Sequence, residues 1–166
     1  MFQLVTVVIA ITLSAFVVIG GISYFNSDTG VRLQVQQSLN SQLEGIAAAI
    51  GSYRSENNGF LPSSNIDAIA GNLPGGKIPT LSQDDELKWK LQGGNLCLER
   101  LNSSDMNTAV KAGTTMFVSA ASRARPAGTV KVGSSCTDSQ AFVWDASSNA
   151  ADLEKNNTIA VIFELK

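Results

Sequence analysis

No histidine occurs anywhere in the 166-residue chain, and only two cysteines do. The first absence removes every catalytic triad and metal centre that depends on an imidazole. The second leaves one possible intrachain pair, Cys97 with Cys136, and no Cys-x-x-Cys motif to support redox catalysis. Charge is also sparse: Asp, Glu, Lys and Arg make up 16% of the chain, with a net charge of −2. A protein that grips nucleic acid by bulk charge shows a basic excess, so that class of partner is disfavoured. No charge at all precedes Asp28. The length suits one domain with an appendage rather than two full domains.

The uncharged start is the strongest signal present. Residues 4–25 read LVTVVIAITLSAFVVIGGISYF, with Thr6, Thr12, Ser14, Ser23 and Tyr24 as the only polar members. As a helix this run spans roughly 33 Å, enough for a bilayer core of about 30 Å. The hydroxyls are tolerated because Ser and Thr can bond a carbonyl one turn back. A soluble core helix would show a polar stripe, and none of sufficient width is present. A signal peptide would begin with basic residues, whereas the first basic residue is Arg32. The segment therefore reads as a membrane helix of a chain whose leader has been removed.

From Val31 the pattern changes. Val31, Val35, Leu39, Leu43, Ile46, Ile50 and Tyr53 recur at the period of one buried helical face, and the run ends near Arg54 before Asn58-Gly59 and Pro62. One continuous helix would run roughly 80 Å. Gly20-Gly21 and the Asn26–Gly30 stretch are its weak points, since each Gly costs about 1 kcal/mol relative to Ala, and a break is expected at one of them.

The remainder reads as a small α+β head. Ser64 or Asn65 caps a short helix through Ile66, Ala68 and Ile69, ended by Gly71. A loop over 72–85 precedes a strand at 87–91, a Gly93-Gly94 hairpin and a returning strand at 96–98. A helix is expected over 104–111 with Gly113 as terminator. Strands are expected over 115–120, 129–132, 141–144 and 159–165, the last central because it is the most apolar. The sheet is expected to cover the apolar face of the long helix. The chain thus divides into a hydrophobic half-helix (1–27), an amphipathic half-helix (28–54), a loop with a short helix (55–86) and an antiparallel sheet head (87–166). Bridging Cys97 to Cys136 would close a loop of about 40 residues, worth roughly 4 kcal/mol. Two buried thiols are the alternative; an exported head favours the bridge.

This arrangement resembles a type IV pilin, closest to the type IVb class, whose mature chains often begin with Met. Local matches are Gln37-Ser38-Leu39-Asn40-Ser41, Ile46 to Tyr53-Arg54, Asn58-Gly59 with Pro62, and Leu73-Pro74-Gly75-Gly76-Lys77-Ile78 leading to Asp84-Asp85-Glu86. The sequence-specific part is confined to about residues 1–90. The resemblance implies a structural subunit of an extracellular filament, a homo-oligomer held by its N-terminal helices. It implies Met1 as a processed, methylated N-terminus, and Val5, Thr6, Val8, Ile9, Leu13, Phe16 and Val17 as the polymerisation surface. The implied partners are a prepilin peptidase and an inner-membrane assembly machine, with the bacterial inner membrane as residence before export to the pilus. No enzyme activity and no cofactor are implied. One departure stands out: such pilins carry a glutamate at the fifth mature position, and here Val5 occupies it. An ammonium on Met1 would then lack a carboxylate partner, with Gln3 and Thr6 as the neutral acceptors nearby. A main subunit is the favoured reading; a minor, tip-located or pseudopilin-type subunit and an unpolymerised single-span anchor bearing a binding head are the alternatives.

Other motifs are weaker. Asp84-Asp85-Glu86 offers the oxygen ligands Ca²⁺ takes, but acids in a Gly/Pro-rich loop are more often solvated. Arg123, Arg125 and Lys131 form a basic group best read as a soluble face near Pro126. Asn102-Ser103-Ser104 and Asn156-Asn157-Thr158 match glycosylation triplets, which arise often by chance.

Overall fold

A computed structural model of the chain describes residues 27–62, 65–144, 153 and 157–165. It is α+β: a long helix, a second helix and an antiparallel five-stranded sheet. Helix α1 (Ser27–Glu56) buries Val35, Leu39, Leu43, Ile46 and Ile50, with Val31 and Tyr53 packed partly against the same core. These are the seven positions picked out by the helical period. The helix ends where Asn58 and Gly59 take positive φ (54° and 86°) and the Gly59 amide donates to the Arg54 carbonyl at 2.7 Å. Residues 27–30 are helical, so no break falls on Gly30; Gly20 and Gly21 lie outside the described residues.

A 3₁₀ turn (Ile66–Asn72) follows, capped by Asn65, whose side chain accepts from the Asp67 amide at 2.9 Å. Strands β1 (Lys88–Gln92) and β2 (Asn95–Arg100) pair through a two-residue turn. Gly93 and Gly94 both have positive φ (59° and 78°) there, the requirement of a tight hairpin that only glycine meets without strain. Strands β3 (Val130–Gly133), β4 (Phe142–Val143) and β5 (Ile159–Glu164) complete the order β1-β2-β5-β3-β4. The expected central position of the last strand is observed.

One expectation fails clearly. Residues 108–124 form a single helix, α2 (Thr108–Ala124), where a short helix ending at Gly113 and a strand over 115–120 were expected. Its cap is Asn107, whose side chain accepts from the Ala109 amide at 2.8 Å. Its buried face is Ala109, Val110, Gly113, Thr114, Phe117, Val118 and Ala121, a helical repeat interrupted by a Gly and a Thr that do not register as apolar. Thr114 is accommodated because its hydroxyl donates to the Val110 carbonyl at 2.9 Å. In consequence the face of α1 is not covered by the sheet alone. α2 lies against it at Gly113, the 3₁₀ turn covers more, and β1 reaches it where the Trp89 indole donates to Gln42 at 2.8 Å. Trp89, Phe117 and Phe163 form an edge-to-face and tilted trio, with centroid separations of 6.3 Å (Trp89–Phe117), 6.0 Å (Trp89–Phe163) and 5.9 Å (Phe117–Phe163), knitting α2 to the sheet.

Candidate functional site

Strand alternation divides the sheet into two unlike faces. Trp89, Leu91, Leu96, Leu98, Val130, Val132, Val161 and Phe163 point into the main core. Lys90, Cys97, Glu99, Lys131, Ile162 and Glu164, their neighbours in sequence, occupy the outer face. Across that face lies a strap, residues 133–141, joining β3 to β4. Cys136 within it is bonded to Cys97, with the Cα atoms 5.8 Å apart. The sulfurs are packed by Ala160, Ile162 and Ala141 into a small second cluster.

Polar contacts tie the strap down. The Glu99 carboxylate, 5% exposed, accepts the Cys136 backbone N–H at 3.0 Å through one oxygen and binds the Lys90 ammonium through the other. Lys90 sits diagonally across the β1–β2 pair from Glu99, a position long side chains reach. Asp138 organises the strap internally: it accepts from the Ser134 amide at 2.7 Å, the Ser134 hydroxyl at 2.8 Å and the Gln140 amide at 2.8 Å. Beside the strap is an open cleft of about 370 Å³, lined by Gln92, Asn95, Lys131, Thr137, Asp138 and Glu164. Lys131 and Glu164 pair there at 2.6 Å.

A second polar centre lies at the far end of β2. Arg100 is buried and shares the inner face with Leu96 and Leu98. Its Nε donates to Asp84 at 2.7 Å and its Nη2 reaches Glu86 at 3.2 Å, while Nη1 is buried with no hydrogen-bond partner among the described residues. The acidic run expected to be solvated is therefore half enlisted: Asp84 is sequestered by a buried cation, and Glu86 remains largely exposed. Among the described residues no group of three His, Cys, Asp or Glu side chains is placed to hold a metal ion.

The basic residues 123, 125 and 131 do not form one patch. Arg123 is exposed on the last turn of α2, and Lys131 is paired on the outer sheet face. Arg125 places its guanidinium 5.1 Å from the ring centre of Phe163, on the inner side, where burial pushes its pKa down from the ordinary arginine value. Asn102 is exposed, and its side-chain carbonyl accepts from the Ser104 amide and hydroxyl of its own loop; Asn156 lies outside the described residues.

Of the residues singled out in the sequence, Cys97 and Cys136 are brought together. Met1, Val5, Thr6, Val8, Ile9, Leu13, Phe16, Val17, Gly20 and Gly21 lie outside the described residues. Among the described residues no helix is long and apolar enough to cross a membrane. Glu99 and Arg100 were not singled out; Glu99 was discoverable, standing two residues from Cys97 on one strand face. The chain matches no family model, no curated protein and no solved structure.

Proposed function

We propose that the chain is the structural subunit of a type IV pilus-like filament, anchored in the bacterial inner membrane before assembly and extracellular afterwards. The observation that carries this reading is the way α1 is held. The head grips it from Val31 onward, Asp28, Thr29 and Gly30 are exposed, and the uncharged apolar run of residues 4–25 stops just before the helix's first described residue. Such a run needs lipid or copies of itself to cover it. Its Val, Ile, Leu and Phe side chains offer apolar surface on all sides; burying about 1,000 Å² per subunit corresponds to roughly 25 kcal/mol gross. Leaving the bilayer forfeits a comparable burial, so the net gain is small and assembly needs an external machine.

The cystine supports an exported head. Val5, at the place of the expected glutamate, favours a second reading, a minor or tip-located subunit with no neighbour above its Met1 amine. Electron microscopy and subunit counting on material sheared from cells test both. Filaments made mainly of this chain support the main-subunit reading. A few copies per filament support the second, and retention with the membrane after shearing overturns both in favour of a single-span anchor.

A further inference from the structure

The strap across the outer sheet face is held by carboxylates as well as by sulfur. Asp138 folds it from within, and Gly133 at its start leaves the room this needs: a methyl group there would lie 2.8 Å from the Asp138 carboxylate. Further backbone bonds, Asp138 N–H to the Ser135 carbonyl at 3.1 Å and Ala141 N–H to the Asp138 carbonyl at 3.2 Å, complete a self-contained turn. Glu99 then docks this turn on the sheet. Cys97 and Glu99 stand two residues apart on β2 and project from one face. The amide that Glu99 accepts belongs to Cys136 itself, so one strand fixes both the side chain and the backbone of a single residue. The carboxylate is in turn held by Lys90 and shielded from water.

We infer that Glu99 is a positioning residue for the cystine: it keeps Cys136 against Cys97 whether or not the sulfurs are joined, so that the bond recloses after reduction instead of releasing the strap. With a low-molecular-weight disulfide as oxidant, one protein thiolate attacks an oxidant sulfur, forming a mixed disulfide and expelling one small thiolate. The other protein thiol loses its proton to solvent and attacks the protein sulfur of the mixed disulfide. The Cys97–Cys136 bond forms, a second small thiolate leaves, and two electrons have passed from the protein thiols to the oxidant. The second step is intramolecular, and a Cys136 already docked on Glu99 raises its effective concentration.

The test is the thiol–disulfide equilibrium of the full chain in detergent micelles against reduced and oxidised glutathione. Glu99→Ala should lower the effective concentration of the pair by about tenfold or more, tenfold being the low end of what one hydrogen bond to a charged group is worth. Glu99→Gln retains an acceptor for the Cys136 amide and should stay within about threefold of the wild type. An unchanged equilibrium in Glu99→Ala, or equal losses in the two variants, overturns the inference. A second measurement covers the case in which Glu99→Ala does not fold. In the Cys97→Ser/Cys136→Ser chain, the residue 136 amide should still exchange with solvent about tenfold or more slowly than an open loop amide; exchange at the open-loop rate overturns the inference equally.

Discussion

Gly113 of α2 lies directly against the backbone of Arg32 on α1: a methyl group at Gly113 would sit 2.7 Å from the Arg32 carbonyl oxygen and 2.7 Å from Cβ of Val35. Neither atom can swing aside, so the absence of a side chain sets how closely the two helices approach. Helix propensity alone would make Gly113→Ala stabilising by about 1 kcal/mol. Overpacking costs about 1–3 kcal/mol and wins. We expect Gly113→Ala to lower stability by about 1 kcal/mol and Gly113→Val by more. Gly51, exposed on α1 with open space around it, is the control: Gly51→Ala should gain up to about 1 kcal/mol. Urea unfolding of the full chain in detergent, followed by near-ultraviolet circular dichroism, reads both. Stabilisation by Gly113→Ala would mean that the helices are not in contact there.

The same glycine explains where the sequence misleads. Read as a helix terminator, Gly113 splits α2 in two, and Thr115, Phe117 and Val118 then give residues 115–120 the look of a strand. The period of the buried face becomes visible only when Gly113 and Thr114 are counted as inward-facing, which needs knowledge of the neighbouring helix. By contrast α1 is legible because its inward positions are aliphatic with one terminal Tyr, and the β1–β2 hairpin because its two glycines carry a local conformational requirement. The partners of the cystine are legible because there are only two cysteines, but the count alone leaves two buried thiols as the alternative, and the bridge is favoured only through the expected export of the head. Arg100 is hidden for the opposite reason to Gly113: strand alternation sends it inward, but an arginine is not read as inward until an acidic partner such as Asp84 is known to meet it.

That buried cation sets a graded prediction. Arg100 and Asp84 are 6% and 8% exposed, so removing the cation leaves a carboxylate without its partner in a dry place. Arg100→Met should cost about 3–5 kcal/mol. Glu86 meets the same guanidinium while 64% exposed, and Glu86→Gln should cost less than about 1 kcal/mol. Equal losses for Arg100→Met and Glu86→Gln in chemical unfolding would show that Asp84 carries no special share.

Gln42 offers a test of the contact between α1 and the sheet. Its carbonyl accepts the Trp89 indole N–H at 2.8 Å, and its amide donates to the Thr80 carbonyl at 3.1 Å and to Ser38 at 3.2 Å. Gln42→Leu keeps the bulk but leaves the indole and Thr80 without partners, at a cost of about 1–3 kcal/mol. Gln42→Glu retains an acceptor for Trp89 and should lose less. The expected signature, read in a Trp144→Phe background so that one indole reports, is a blue shift of Trp89 fluorescence in Gln42→Leu alone as the buried indole loses its polar acceptor, and an unaltered spectrum would place the indole elsewhere.

The proposed filament stands or falls on the apolar run before α1. An acidic side chain at the middle of such a helix costs about 3 kcal/mol in lipid, which a run of this length can absorb while still inserting. In a bundle of like helices the same carboxylate recurs in every copy, each desolvated and facing neighbours of equal charge, so the cost multiplies along the assembly. Val8→Asp or Val17→Asp should therefore leave the chain in the membrane fraction with its Cys97–Cys136 bond formed, while sheared filaments fall below about a tenth of the wild-type yield. Both readouts come from one fractionation, with non-reducing electrophoresis reporting the bond. Normal filament yield from either variant would rule out a core built from these helices, and loss of the bond would trace the defect to the head instead.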